Sequence, residues 1–169
     1  RRQRQMCIRD RLGTFWKPVP VYRVMCDPGH RSELMSARIL IIEDEALVAM
    51  ELRFVLEDLG YDVAGVCATA KSALDTVRET DIDLALVDIH LSDGATGIEL
   101  GRRLGQEMGV SVLFMTANPG MVRDGVAGTI GVLSKPTDER AVQTAVEYAL
   151  RRRHGEPTQY APPGLQLFG

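Results

Sequence analysis

From Arg38 onward the hydrophobic residues fall into short, regularly spaced groups. Ile39–Ile42 is an apolar run that ends in acids, the pattern of a buried parallel strand whose carboxyl end meets solvent. Leu47, Met50, Leu52, Val55, Leu56 and Leu59 follow at helical spacing and predict a helix over Ala46–Leu59, stopped by Gly60. Asp62–Cys67 reads as a strand with Cys67 as a core filler, and Thr69 is placed to cap a helix over Lys71–Glu79. Leu84–Asp88 is a third strand, wholly apolar until its closing carboxylate. A turn at Ser92–Gly94 leads to a helix over Gly97–Glu107, and Val112–Met115 makes a fourth strand that closes on Thr116. Pro119–Gly128 is punctuated by glycine and only weakly helical. Gly131–Ser134 is a fifth strand meeting Lys135-Pro136, and Thr137 is expected to cap a last helix running to Arg153. Five strands alternating with five helical segments predict an α/β fold: a doubly wound five-stranded parallel sheet, right-handed crossovers and helices on both faces.

The flanks differ from this body. Residues 1–34 show neither helical nor strand periodicity, contain Pro18, Pro20, Pro28 and Gly29, and carry eight Lys/Arg against three acids. They are expected to be a non-native or disordered leader, with Met35 as the natural start of a domain over residues 35–153. Residues 154–169, with Pro157, Pro162 and Pro163, are expected to form a flexible tail. Residues 35–169 carry twelve Lys/Arg against twenty Asp/Glu. Binding to nucleic acid requires clustered positive charge, so the acidic body argues against direct DNA or RNA contact. No apolar stretch approaches the roughly 20 residues that span a bilayer, and the leader lacks the apolar centre of a secretory signal. Three cysteines without a C-x-x-C spacing suggest no disulfide framework or zinc site, and point to a reducing, cytoplasmic setting.

In a sheet of this kind ligands bind beyond the carboxyl ends of the strands, near the reversal of strand order. The residues there are Glu43, Asp44 and Glu45 after the first strand, Asp88 after the third, Thr116 after the fourth, and Ser134-Lys135 after the fifth. Crowded carboxylates repel unless a cation joins them, and an oxygen-only ligand set selects a hard ion such as Mg²⁺. The acidic first turn lacks the glycine-rich phosphate cradle of dinucleotide and P-loop proteins, which excludes both. A carboxylate beside Mg²⁺ is able to act as a nucleophile toward phosphorus, with the Thr116 hydroxyl and the Lys135 ammonium as donors to phosphoryl oxygens. Glu45 reads as a solvated residue at a helix N-terminus.

With these residues in order on four strand ends, the stretch 36–153 resembles the receiver domain of response regulators in two-component signalling. The motifs that carry the resemblance are the acidic pair in IIEDE, Asp88 in LALVDIHL, Thr116 in LFMTAN and Lys135-Pro136 in LSKP. The resemblance implies a flavodoxin-like receiver fold, phosphorylation on Asp88, and Mg²⁺ held by Asp44, Glu43, Asp88 and the backbone carbonyl of His90. It also implies Thr116 as the switch hydroxyl, Lys135 as the phosphoryl-binding lysine, and a cis bond before Pro136. The side chains of His90 and Asn118 are expected to flank the phosphoryl group and influence its hydrolysis. Two features depart from the family. Its switch aromatic, three residues before the lysine, is Val132 here, and the span from Thr116 to Lys135 is shortened by about three residues. A subset of stand-alone receivers with the pattern F-A-T-G-[GUY] shares such a shortened span, and this chain matches that pattern at Phe114 and Thr116.

The expected function is therefore a stand-alone phosphorelay switch rather than a turnover enzyme. It would be phosphorylated by a histidine kinase or a histidine phosphotransfer protein and act on a downstream target protein, because the residues after Arg153 are too few for a DNA-binding unit. Three rival readings remain at this point. One is a Mg²⁺-dependent phosphohydrolase working through an aspartyl-phosphate, which would want a second acid where His90 stands. The others are a pseudo-receiver scaffold and a receiver fragment of a hybrid kinase.

Overall fold

A computed structural model describes residues 36–92, 97–158 and 160–168. The expected leader, Met35 as a start, and Asp93 and Gly94 of the expected turn lie outside those residues. The described chain alternates β1 (Arg38–Ile42), α1 (Ala46–Asp58), β2 (Asp62–Cys67), α2 (Ala70–Glu79), β3 (Leu84–Asp88), α3 (Gly97–Met108) and β4 (Ser111–Thr116). A 3-10 turn (Pro119–Val122), β5 (Gly131–Ser134), α4 (Glu139–Arg153) and β6 (Leu165–Leu167) complete it.

The sheet runs β2-β1-β3-β4-β5-β6, with β1 to β5 parallel. The apolar runs decide which strands are central. β1, β3 and β4 have hydrophobic residues at consecutive positions and are buried on both faces, whereas β2 at one edge is mostly half-exposed. Alternate side chains divide between two cores. Ile39, Ile41, Leu84, Leu86, Leu113 and Met115 meet α1 and α4 on one face. Leu40, Ile42, Ala85, Val87, Val112 and Phe114 meet α2 and α3 on the other. The chain leaves β1 for the edge strand β2 and returns to β3 on the other side of β1, so the reversal of order lies between β1 and β3.

Helix ends follow local chemistry. The Thr69 hydroxyl accepts the Ser72 N–H at 3.1 Å and the Ser72 hydroxyl accepts the Thr69 N–H at 3.4 Å, a reciprocal cap on α2. Helix α4 is capped by Asp138 rather than the expected Thr137. The Asp138 backbone stays extended and its carboxylate accepts the Ala141 N–H at 2.7 Å.

Three further expectations are corrected. The sheet-facing stripe of α1 is Ala49, Leu52 and Leu56 with half-buried Val48 and Val55, while Leu47 and Met50 are 82% and 68% exposed beside Phe54. Nine of the thirteen α1 residues are apolar, so periodicity alone fits two stripes and the sheet selects one. The stretch 119–128 is a single 3-10 turn followed by Gly125 and Gly128 at positive φ (78° and 81°), so among the described residues there are four α-helices where five helical segments were expected. The tail over 154–169 is not flexible throughout. Leu165–Leu167 adds a sixth, antiparallel strand to β5, and Leu165 and Phe168 are buried. The alternation Leu-Gln-Leu is too short to register as a strand by itself and acquires its structure only from the β5 edge it covers.

Candidate functional site

Parallel pairing brings the carboxyl ends of β1, β3, β4 and β5 to one rim of the sheet. β1 passes directly into Glu43 and Asp44, and the Glu43 N–H donates to the Cys67 carbonyl at 2.9 Å, which fixes the turn against β2. β3 ends on Asp88 and β4 on Thr116. The Lys135 N–H donates to the Thr116 carbonyl at 2.8 Å, continuing the β4–β5 ladder one residue past β5, and the Lys135-Pro136 bond is cis as expected.

Lys135 reaches back across the rim. Its Nζ donates at 2.7 Å to Glu43 Oε2 and at 2.7 Å to Asp88 Oδ2. The second oxygen of each carboxylate accepts a backbone amide: Glu43 Oε1 from Glu45 N–H at 3.3 Å, and Asp88 Oδ1 from His90 N–H at 3.1 Å. Glu43 and Asp88 are buried and Asp44 half-buried, and carboxylate oxygens of all three lie within 4.8 Å of one another. Thr116 is fully buried, with its hydroxyl accepting the Asn118 N–H at 3.1 Å. His90 touches Asp88 through its backbone, while the residue itself is exposed. The structure thus brings Glu43, Asp44, Asp88 and Lys135 into one cluster, with Thr116 on the adjoining strand end.

The electrostatics follow from burial and crowding. Burial, reinforced by the Asp88 charge, holds the Glu43 carboxyl above its ordinary value, against the pull of Lys135 and the Glu45 amide. Burial also works against the Lys135 ammonium, but its bonds to Asp88 and Glu43 prevail and hold it above the usual lysine value. Three carboxylates face one ammonium, so the cluster has anionic charge to spare. Its donors are all oxygen, which fits a hard divalent cation such as Mg²⁺ and not a soft one.

One contributor escaped the sequence reading. A Cβ on Gly97, the first residue of α3, would overlap the carbonyl oxygen of Asp88, and the Gly97 N–H donates to the Ile89 carbonyl at 2.9 Å. Bare backbone at this point lets α3 begin hard against the end of β3. Gly101 and Gly105 continue the close approach along the helix, against the Phe114 ring and the Gly128 carbonyl. The fourfold glycine spacing in GIELGRRLG was the available signal.

Comparison with known proteins decides the family. Residues 39–147 match the family model for the response regulator receiver domain. The chain belongs to that family. The phyllosphere-induced regulator PhyR of Methylorubrum extorquens is 42% identical over 86 residues, 50% of this chain and 32% of that protein. The solution structure of the PhyR receiver domain from Erythrobacter litoralis is 33% identical with a TM-score of 0.62, covering 75% of this chain and 97% of that one. The anti-anti-sigma factor PhyR from Bartonella quintana is 27% identical with a TM-score of 0.62, covering 75% of this chain and 54% of that one. The chain therefore spans about a third of the first relative's length and about half of the last. Among the described residues no helix is long and apolar enough to cross a membrane.

Proposed function

We propose that this receiver is a phosphorylation switch whose acceptor is Asp88, charged by a histidine kinase or a histidine phosphotransfer protein. The observation that carries the reading is the cluster itself: Lys135 Nζ at 2.7 Å from both Asp88 and Glu43, with Asp44 alongside. An Asp88 oxygen attacks phosphorus in line, a P–O bond forms as the donor's P–N bond breaks, and the departing imidazole nitrogen keeps its electron pair and takes a proton. The Lys135 ammonium, already on Asp88 Oδ2, turns to a phosphoryl oxygen, and the Thr116 hydroxyl turns from Asn118 to donate to another. The His90 amide keeps Asp88 oriented through Oδ1. Glu43, Asp44, Asp88 and the His90 carbonyl would hold Mg²⁺, which when bound offsets the negative charge of acceptor and phosphoryl group.

The product is a mixed anhydride that stores a conformational signal, so the chain acts as a switch and relays its state by protein contacts. The recurrence of PhyR among its relatives, one of them an anti-anti-sigma factor, favours a partner in sigma-factor control. The test is intact mass spectrometry of the full chain after incubation with acetyl phosphate, with and without Mg²⁺, comparing wild type with Asp88→Ala. A Mg²⁺-dependent gain of one phosphoryl group, lost in the variant, is expected. Absence of both this adduct and beryllofluoride binding would leave the pseudo-receiver reading in its place. Sustained turnover of a generic phosphate ester would instead favour the hydrolase.

A further inference from the structure

The C-terminal strand does more than close an edge. Phe168, just beyond β6, donates its N–H to the Ile130 carbonyl at 3.0 Å and is buried in the core shared by Phe114, Val122 and Val132. Its ring lies 6.2 Å from that of Phe114, at 46°. Phe114 lies on β4 two residues before Thr116, and Val132 pairs with both Phe114 and Gln166 in the sheet. The position three before Lys135 holds a small valine, and Phe168 adds a second aromatic ring to this layer beside Phe114.

We propose that Leu165–Phe168 is a latch on the β5 edge that phosphorylation of Asp88 releases; the proposal rests on the acceptor reading above. The connection runs through the segment after β4. The Thr116 hydroxyl accepts the Asn118 N–H at the root of that segment. Further along, a Cβ on Gly125 would lie 3.4 Å from the Phe168 Cβ, so the same segment covers the latch residue. Drawing the Thr116 hydroxyl toward a phosphoryl oxygen gives up the Asn118 bond at one end of this cover. A 3-10 turn and two positive-φ glycines leave the cover little regular structure with which to resist. The latch strand is three residues long and lies at the sheet edge. Such elements open at free energies well below global unfolding and are displaced by small differential interactions. Release bares the backbone edge of Gly131–Leu133 and the Phe114–Val132 floor, so the two states present different surfaces to a partner.

Amide hydrogen exchange on the full chain with Mg²⁺, with and without beryllofluoride, tests this, with ¹⁹F NMR of the same samples reporting whether Asp88 is occupied. Exchange of the Phe168 amide is expected to rise at least tenfold when beryllofluoride is bound, while amides of β1 and β3 keep their protection. Gly131→Ala supplies an open-latch control, since the added Cβ would overlap the Gln166 carbonyl oxygen. In that variant the Phe168 amide is expected to exchange fast with or without beryllofluoride, with ¹⁹F binding retained. Bound beryllofluoride with a smaller rise in the wild type overturns the latch alone. No bound beryllofluoride overturns the acceptor reading and the latch with it.

Discussion

Lys135→Met tests the electrostatic account of the site most directly. The substitution keeps a side chain of similar length but leaves Glu43 and Asp88, whose side chains are 2% and 9% exposed, facing each other without their shared cation. Breaking one partner out of a buried ion pair costs about 3–5 kcal/mol. Because the Lys135 side chain is itself 18% exposed, water softens the loss and about 3 kcal/mol is expected, at the lower end of that range. With a urea m-value of about 2 kcal/mol/M, the midpoint at pH 7 without divalent ions falls by about 1.5 M. The pH dependence is the sharper signature. In the folded wild type Glu43 is held above its ordinary 4.5, so the fold binds that proton more tightly than the unfolded chain does. Its contribution to stability therefore declines as pH rises from about 4.5 through the folded value. Lys135 is held above 10.5; its contribution is complete below that value and is lost as pH rises through the raised one. Removing Lys135 takes away the attraction that restrains Glu43, so the variant regains stability on acidification from pH 7 toward pH 5 more steeply than wild type. Urea unfolding followed by circular dichroism at pH 5, 6 and 7, with and without Mg²⁺, measures all of this. Mg²⁺ is expected to narrow the gap at pH 7 by supplying another counter-charge. A midpoint shift below about 0.5 M at pH 7, with no added pH slope, would equate the pair with a surface ion pair of about 1 kcal/mol and show that Lys135 does not hold a buried pair of carboxylates.

Gly97→Ala gains less than about 1 kcal/mol of helix propensity at this first helical position but drives a methyl group into the Asp88 carbonyl. The net expectation is a loss of about 1–3 kcal/mol by overpacking, with slower phosphoryl adduct formation from acetyl phosphate in intact mass; unchanged adduct kinetics would show that α3 does not position Asp88. Thr69→Ala removes the reciprocal cap on α2 and is expected to cost about 1 kcal/mol in urea unfolding, with adduct formation unchanged. Leu47→Ala and Phe54→Ala remove side chains that are 82% and 72% exposed, so each is expected to change stability by less than about 0.5 kcal/mol; larger losses would place them in the core.

Much of the sheet was legible because its central strands are buried on both faces. Ile39–Ile42, Leu84–Val87 and Val112–Met115 are apolar at consecutive positions, a pattern that needs no partner to be read, and each is followed by a polar residue of the candidate site. The order of those endings, Glu43-Asp44, Asp88, Thr116 and Lys135, was enough to predict one rim, since parallel strands must place their carboxyl ends together. The remainder is set by contact between distant segments. Lys135 is 92 residues from Glu43, and no local pattern says that its ammonium will bridge two carboxylates whose other oxygens hold backbone amides. The buried stripe of α1 had two solutions in an apolar helix, and only the sheet chose between them. Gly97 matters because α3 starts where β3 ends, a proximity that exists only once both have packed. β6 is the clearest case: three residues have too little periodicity and too few local bonds to be a strand alone, and an edge strand is defined by the edge it finds. The elements and the polar residues at their ends could be read along the chain, because burial on both faces and local capping act over a few residues. The partners, the distances and the closed edge came from the fold, because those energies exist only between parts of the chain that folding brings together.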